Sequence, residues 1–423
     1  MASVRSRWVS ARVSNKSAGI LESASDIVML ANMTKKPRSH LDDLRGASKL
    51  AVEATKGVTA LVQEMHRTIA SGPALVGKPL EGPAKLVTDV VYGSIRGVTH
   101  HVGVGIDGAL EQLAPMLGDG TPGPERAAVL AAVNGVLGDY LDDTNNPLAI
   151  EMRLGRLPPT HEGAPGPKLL VMVHGLCMND LQWRRSGHDH GEALAKDLGY
   201  TPMYLHYNSG RHISTNGAEL AETLEEVVSN WPCDVDELVI VAHSMGGLVS
   251  RSACFAAEQA QLAWRKRLSA MVFLGTPHHG SPLERGGNWI DMLLGVSAYS
   301  APLSRLSKIR SAGVTDLRFG NVVEEHWGGR DRFEFGDDRR SPLPLPEEVD
   351  CYAVAGVAAP GTVGDVAGDG LVPVESALGI HEDPALTLRF PESHVWTGEG
   401  LMHLDLLDSS AVYDTVRDWL SKR

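Results

Sequence analysis

The chain has 423 residues, 43% of them hydrophobic and 22% charged, with a net charge of −13. That balance excludes a wholly disordered chain, the lack of a Gly-X-Y period excludes a collagen-like one, and the acidic excess argues against nucleic-acid binding by the whole protein. The charge is uneven: residues 1–80 carry 12 Lys/Arg against 6 Asp/Glu, whereas residues 81–150 carry 3 against 9. At ~150 residues per domain the length predicts two or three units, and the charge asymmetry predicts different surroundings for them.

The N-terminus has Arg5, Arg7, Arg12 and Lys16 before its first acid, Glu22, and no secretory apolar core. It reads as a solvated basic arm on a cytoplasmic protein, although mitochondrial transit segments share this Ser-rich, acid-poor composition. No run reaches the ~18 apolar residues of a membrane-spanning helix. Residues 41–69 carry Leu44, Ala51, Val58 and Met65 at intervals of seven, with Ala47, Ala54 and Leu61 between them. This is an amphipathic helix that needs a cover: the remainder of the chain, a second copy in a homo-oligomer, or an anionic lipid surface. A Gly-rich helical pattern follows over 84–113, and a further helix is predicted from 124 to 142 with Pro124 in its first turn. Residues 1–148 thus read as an N-terminal region of a few antiparallel helices.

From 149 onward the pattern changes. Strands are predicted at 149–154, 168–173, 203–205, 237–242, 270–274 and 351–355, the inner ones as continuous apolar runs typical of buried parallel strands. Helical patterns such as 217–229 lie between them, which predicts an α/β fold with a mostly parallel sheet. Residues 281–350 interrupt the alternation and read as a lid insertion or a peripheral subdomain. Cys177, Cys233, Cys254 and Cys351 have no metal-ligand spacing and read as reduced thiols.

The chemistry concentrates at Val239-Ile-Val-Ala-His-Ser-Met-Gly-Gly-Leu248. A buried strand runs into Ala242-His243-Ser244-Met245-Gly246 and then into a helix, the pattern of a nucleophile elbow with Ala at its first small position. Small residues at 242 and 246 let strand and helix approach through a strained turn, with Ser244 at the helix N-terminus. A serine hydroxyl needs a base. Enzymes built on such an elbow carry the acid and then the histidine downstream. Asp369, in Gly368-Asp369-Gly370, follows a predicted strand, with Asp365 as its rival. His403 precedes the last amphipathic helix; His381, His394, His278 and His279 compete less well by position. The backbone N–H groups of Leu176, after His174-Gly175, and Met245 are the expected oxyanion donors. His174 reads as a structural hydrogen-bonder. Arg211, in Asn208-Ser209-Gly210-Arg211, lines a substrate cleft or closes a structural salt bridge.

His174-Gly175-Leu176, His243-Ser244-Met245-Gly246-Gly247, Gly275-Thr276-Pro277-His278-His279-Gly280-Ser281, Asp369-Gly370-Leu371-Val372 and His403-Leu404-Asp405 occur in this order. Over 149–423 the chain resembles the α/β-hydrolase superfamily, in the lipase and esterase branch that includes bacterial triacylglycerol lipases and lipase-like inositol deacylases. The resemblance implies hydrolysis of a small-molecule or lipid ester through an acyl-enzyme on Ser244, with Asp369 and His403 completing a triad. Thioester or amide hydrolysis and acyl transfer use the same triad. No cofactor is implied. Asp405 matches a calcium ligand of some bacterial lipases, but the later ligands of that site are not apparent, so no metal is expected.

Overall fold

The computed structural model describes residues 124–157, 164–281, 311–329, 338–358 and 368–423. The amphipathic stretch at 41–69, the pattern at 84–113 and the rival acid Asp365 lie outside them. Among the described residues no helix is long and apolar enough to cross a membrane.

Seven strands form one sheet: β1 (Arg153–Gly155), β2 (Lys168–Val173), β3 (Thr201–His206), β4 (Glu237–His243), β5 (Leu268–Leu274), β6 (Asp350–Val357) and β7 (Val395–Glu399). Their order is β1-β3-β2-β4-β5-β6-β7. Only the β1–β3 pair is antiparallel; every other neighbour is parallel, as the apolar runs predict. Leu169 to Val173 on β2 and Leu238 to His243 on β4 are buried without a break, because a parallel sheet is covered on both faces.

Two apolar clusters cover the two faces. One joins Val171, Ile240 and Phe273 to Leu220, Leu248 and Trp264. The other joins Leu170, Val241 and Val272 to Trp183, Leu194 and Val416. Leu194, Leu220, Leu248 and Val416 come from the helices α2 (His190–Leu198), α3 (Ile213–Ser229), α4 (Met245–Ala260) and, near residue 423, α6 (Ser410–Ser421), whereas Trp183 and Trp264 lie in short 3-10 turns. Caps fit the sequence: the Asp189 carboxylate accepts from Gly191 and Glu192 N–H at the start of α2, and Gly199 ends that helix in the left-handed region at φ 75°.

The strand β7 was not among the sequence expectations. Val395-Trp396-Thr397-Gly398-Glu399 is an edge strand, partly exposed and interrupted by glycine, so it has neither the apolar run nor a clean alternation. Strand β1 is shorter than the predicted 149–154.

The helix predicted at 124–142 runs from Pro124 to Asp143 (α1). It is apolar on nearly every side and buried continuously over residues 129–138, the signature of a helix inside a core. Val129, Val133, Val136 and Leu141 belong to the same cluster as β2 and β4. The buried Asn134 amide fixes it: Nδ2 donates to Leu130 O at 2.9 Å and Leu148 O at 2.8 Å, and Oδ1 accepts from Ile150 N–H at 2.8 Å.

Of the insertion at 281–350, residues 311–329 and 338–350 are described, and they are bonded to the body. Ser311 Oγ donates to Gly135 O at 2.7 Å and Ala312 N–H to Asp139 at 2.9 Å. Asp316, on the short helix α5 (Ala312–Asp316), accepts from Ile213 N–H at 2.9 Å and lies 3.0 Å from His212 Nδ1. His212 stacks on Trp327 at 3.6 Å.

Candidate active site

In an open α/β sheet, ligands bind at the carboxyl ends of strands where the chain's winding reverses. Here the chain goes from β2 outward to β3, then returns to β4 on the other side of β2. His174-Gly175-Leu176 leaves the carboxyl end of β2 and Ser244 leaves the end of β4, so both line that crevice.

Ser244 sits at φ 54°, ψ −128°, outside the regions comfortable for a side-chain-bearing residue, and caps α4. Such strain costs about 1–3 kcal/mol and persists only where the surroundings impose it. They do: a Cβ on Gly246 would lie 2.5 Å from Val173 O and 2.6 Å from His174 O, and one on Gly175 would lie 2.9 Å from Ser244 Cβ. Glycine at both positions lets the elbow press against the end of β2. Ser244 itself is 2% exposed.

The structure brings Asp369 and His403 together. His403 Nδ1 donates to Asp369 Oδ2 at 2.7 Å, and both residues are buried. Asp369 Oδ1 accepts from Leu371 N–H at 3.0 Å and Val372 N–H at 2.8 Å, so the turn holds the carboxylate from one side and the imidazole from the other. His403 N–H donates to Asp369 O at 2.9 Å. The remaining ring nitrogen, His403 Nε2, is buried and has no hydrogen-bond partner among the described residues. It is therefore not bonded to Ser244 Oγ in this structure.

The pair nevertheless lies beside the elbow. Ser244 N–H donates to Leu274 O at 2.8 Å. At the next residue, Gly275, a Cβ would lie 3.0 Å from Asp369 Oδ2 and 3.2 Å from His403 Nδ1. The rings of His243 and His403 are 4.6 Å apart.

The Met245 N–H opens α4, and the Leu176 N–H lies in the loop after β2; neither has an acceptor among the described residues. Next to Leu176, Cys177 adopts φ 59° and its N–H donates to Ser209 Oγ at 3.0 Å. Burial pushes the Cys177 thiol up to about 12, which keeps it in the unreactive thiol form. His174 has the structural place expected of it: Nδ1 lies 2.8 Å from Gly175 O, the ring stacks on Tyr207 at 4.4 Å, and burial lowers it to about 4.

The competing histidines are engaged elsewhere. His381 faces Asp338 at 3.4 Å, His394 Nδ1 lies 3.1 Å from Cys351 O, and the buried His278 packs its ring edgewise on Phe273 at 4.9 Å. His279 Nδ1 lies 3.3 Å from Arg340. Arg211 forms structural ion pairs, with Asp142 at 3.0 Å and with Glu219. Asp405 Oδ2 accepts from Met402 N–H at 2.9 Å and its Oδ1 lies 3.8 Å from Arg185. Ser209 belongs to the segment that follows β3 and that the sequence places near a cleft by position; its contact with Cys177 spans 32 positions and has no local signal.

Residues 166–333 match the family model of the PGAP1-like alpha/beta domain. No curated protein gives a significant match. Among solved structures, the mature lipase BlEst2 of Bacillus licheniformis is 19% identical, with 64% of this chain and 98% of that chain covered and a TM-score of 0.42. A thioesterase of the prodiginine biosynthetic pathway in Streptomyces coelicolor, RedJ, is 15% identical, covering 63% and 96% with a TM-score of 0.36. The Pyrococcus furiosus esterase PF2001 is 14% identical, covering 60% and 81% with a TM-score of 0.35. Sheet order, elbow and family match agree on an α/β-hydrolase fold, in line with the resemblance read from the five motifs.

Proposed function

We propose that this α/β-hydrolase-fold chain is a serine carboxylester hydrolase, an esterase or lipase, in which Ser244, His403 and Asp369 act as nucleophile, base and orienting acid. One observation carries the reading: a buried Asp369–His403 pair leaves a single unpartnered imidazole nitrogen beside a strained serine elbow.

His403 Nδ1–H is committed to a carboxylate, so in the neutral ring Nε2 carries the lone pair. It takes the Ser244 hydroxyl proton as Oγ attacks the acyl carbon of the ester. The carbonyl π bond opens, and the resulting oxyanion is received by the N–H groups of Met245 and Leu176, aided by the positive end of α4. Collapse breaks the bond to the alcohol oxygen, which leaves with the proton from His403. Water, deprotonated by the same Nε2, then attacks the acyl carbon; the bond to Ser244 Oγ breaks, His403 returns the proton to Oγ, and the acid leaves. The step requires Nε2 and Oγ to come within about 3 Å when substrate binds.

Purified full-length protein should release nitrophenol from acyl nitrophenyl esters, and Ser244→Ala should lose that activity while keeping the wild-type melting temperature. An active, folded Ser244→Ala protein would overturn the assignment. Acyl thioesters and amides assayed alongside set the ester preference. Residues 41–69 remain the candidate for a lipid-surface or self-association contact. Co-sedimentation of the full chain with anionic vesicles, and its mass in solution, test these roles.

A further inference from the structure

We infer that His243 is a positioning residue for His403: its Nε2–H holds the His403 backbone carbonyl and thereby fixes where the free imidazole nitrogen of His403 stands relative to Ser244. This rests on the proposed triad.

His243 is the last residue of β4, directly before Ser244, and it is wholly buried. Its Nε2 lies 3.0 Å from His403 O, across 160 positions of sequence. A carbonyl oxygen only accepts, so Nε2 carries the hydrogen. Nδ1 of the neutral ring is then a bare acceptor, and it has no partner. An apolar side chain would fill the volume without an orphaned polar atom, which buried sites normally avoid.

The three grips on His403 come from two directions. Its N–H and Nδ1–H are both held by Asp369, which tethers the residue to the turn after β6. Its carbonyl is held by His243, which tethers the same residue to the elbow itself. With those three polar atoms engaged, Nε2 is the one left over. Because Ser244 is the next residue after His243, any shift of the elbow carries the anchor of the base with it. Nucleophile and base are thus kept in register.

A donor at this position must also be uncharged. The ring centroids of His243 and His403 are 4.6 Å apart, and His403 becomes a cation when it accepts the Ser244 proton. Desolvation, followed by the neighbouring His403, holds His243 well below the ordinary imidazole value, with His174 and His190 acting in the same direction. The carboxylate of Asp369 is bonded to the His403 ring and not to His243. A neutral imidazole supplies the N–H without adding a second positive charge to the imidazolium.

The test uses the full chain. The rate of Ser244 modification by a fluorophosphonate is measured across the neutral pH range for wild type, His243→Leu and His243→Gln, together with KM and kcat on a nitrophenyl ester. His243→Leu should slow modification and lower kcat by about 10- to 100-fold with KM little changed, the scale expected of a displaced reacting group. Its pH profile and the downfield His403 Nδ1 proton resonance should move. His243→Gln, which can present an N–H near the same point, should recover much of the rate. A folded His243→Leu protein with the wild-type rate, profile and resonance would overturn the inference. Should His243→Leu fail to fold, nitrogen-15 NMR of the wild type decides: a His243 ring protonated on Nδ1 rather than Nε2 contradicts it. Failure of the triad reading looks different, since wild-type Ser244 would then remain unmodified whatever the state of His243.

Discussion

His403 and Asp369 are joined twice, ring to carboxylate at 2.7 Å and backbone N–H to backbone carbonyl at 2.9 Å. The second bond matters because it orients the main chain of the histidine, not only its ring. An imidazole held this way keeps one tautomer and one direction without help from substrate.

Asp369→Asn follows from that geometry. Asparagine retains an oxygen for Leu371 and Val372 N–H, so the turn should survive. The carboxylate that stabilises an imidazolium is lost, and the tautomer is no longer dictated. The expected result is a fall in kcat of about 10³–10⁴-fold with an unchanged melting temperature, the scale seen when a triad acid becomes an amide. Steady-state kinetics and calorimetry check it.

Gly246→Ala would place a methyl group 2.5 Å from Val173 O, a backbone atom that cannot swing aside. Strand or elbow must shift. A loss of about 1–3 kcal/mol in stability is expected, as for other overpacked sites. If the proposed roles hold, activity should drop further than stability alone explains, because the shift falls between Ser244 and the Leu176 N–H proposed to receive the oxyanion. Denaturant melts and kcat of the folded fraction separate the two effects.

Asn134→Ala removes a buried side chain that bridges helix α1 to Leu148 and Ile150. The Ile150 N–H is left without this acceptor inside the protein, at about 1–3 kcal/mol for an unsatisfied group. Urea unfolding should show a lower midpoint. A variant as stable as wild type would mean that the amide is not holding this corner.

Acid should weaken the fold before carboxylates titrate. His174 and His190 are buried, and desolvation lowers each from 6.5 to about 4. Between those values the unfolded chain binds protons that the native chain refuses. Stability from these two groups is therefore complete above about pH 6.5 and is lost as pH falls toward 4. The slope reaches up to about 1.4 kcal/mol per pH unit for each imidazole. Urea midpoints measured from pH 7 downward should fall accordingly, and less steeply in His190→Gln.

The inner strands and the elbow were legible because their signals are local: an apolar run for a strand covered on both faces, small residues flanking Ser244 for a tight turn. The pairing of Asp369 with His403 was legible as an ordered motif. Other features were not, for physical reasons. Strand β7 owes its place to pairing with β6, from Ala353 with Val395 to Val357 with Glu399, and not to its own composition. The contacts from Cys177 to Ser209 and from His243 to His403 arise only when distant segments are brought to one edge of the sheet. For Arg211 the sequence favours a structural salt bridge over a ligand contact but cannot name the carboxylates, Asp142 and Glu219, which lie in other segments.

Helix α1 lies wholly upstream of residue 166, where the family match begins. Its Gly138 carbonyl receives the Asn208 amide at 2.8 Å, its Gly135 carbonyl receives Ser311, and a Cβ on Gly135 would strike Cys177, the neighbour of Leu176. A recombinant fragment trimmed to the recognised domain would therefore lose one wall of its own interior. It would expose apolar ground a single residue away from the peptide group assigned to receive the oxyanion. Expression boundaries for this protein belong before Pro124, and poor behaviour of a shorter piece would say nothing against the proposed activity.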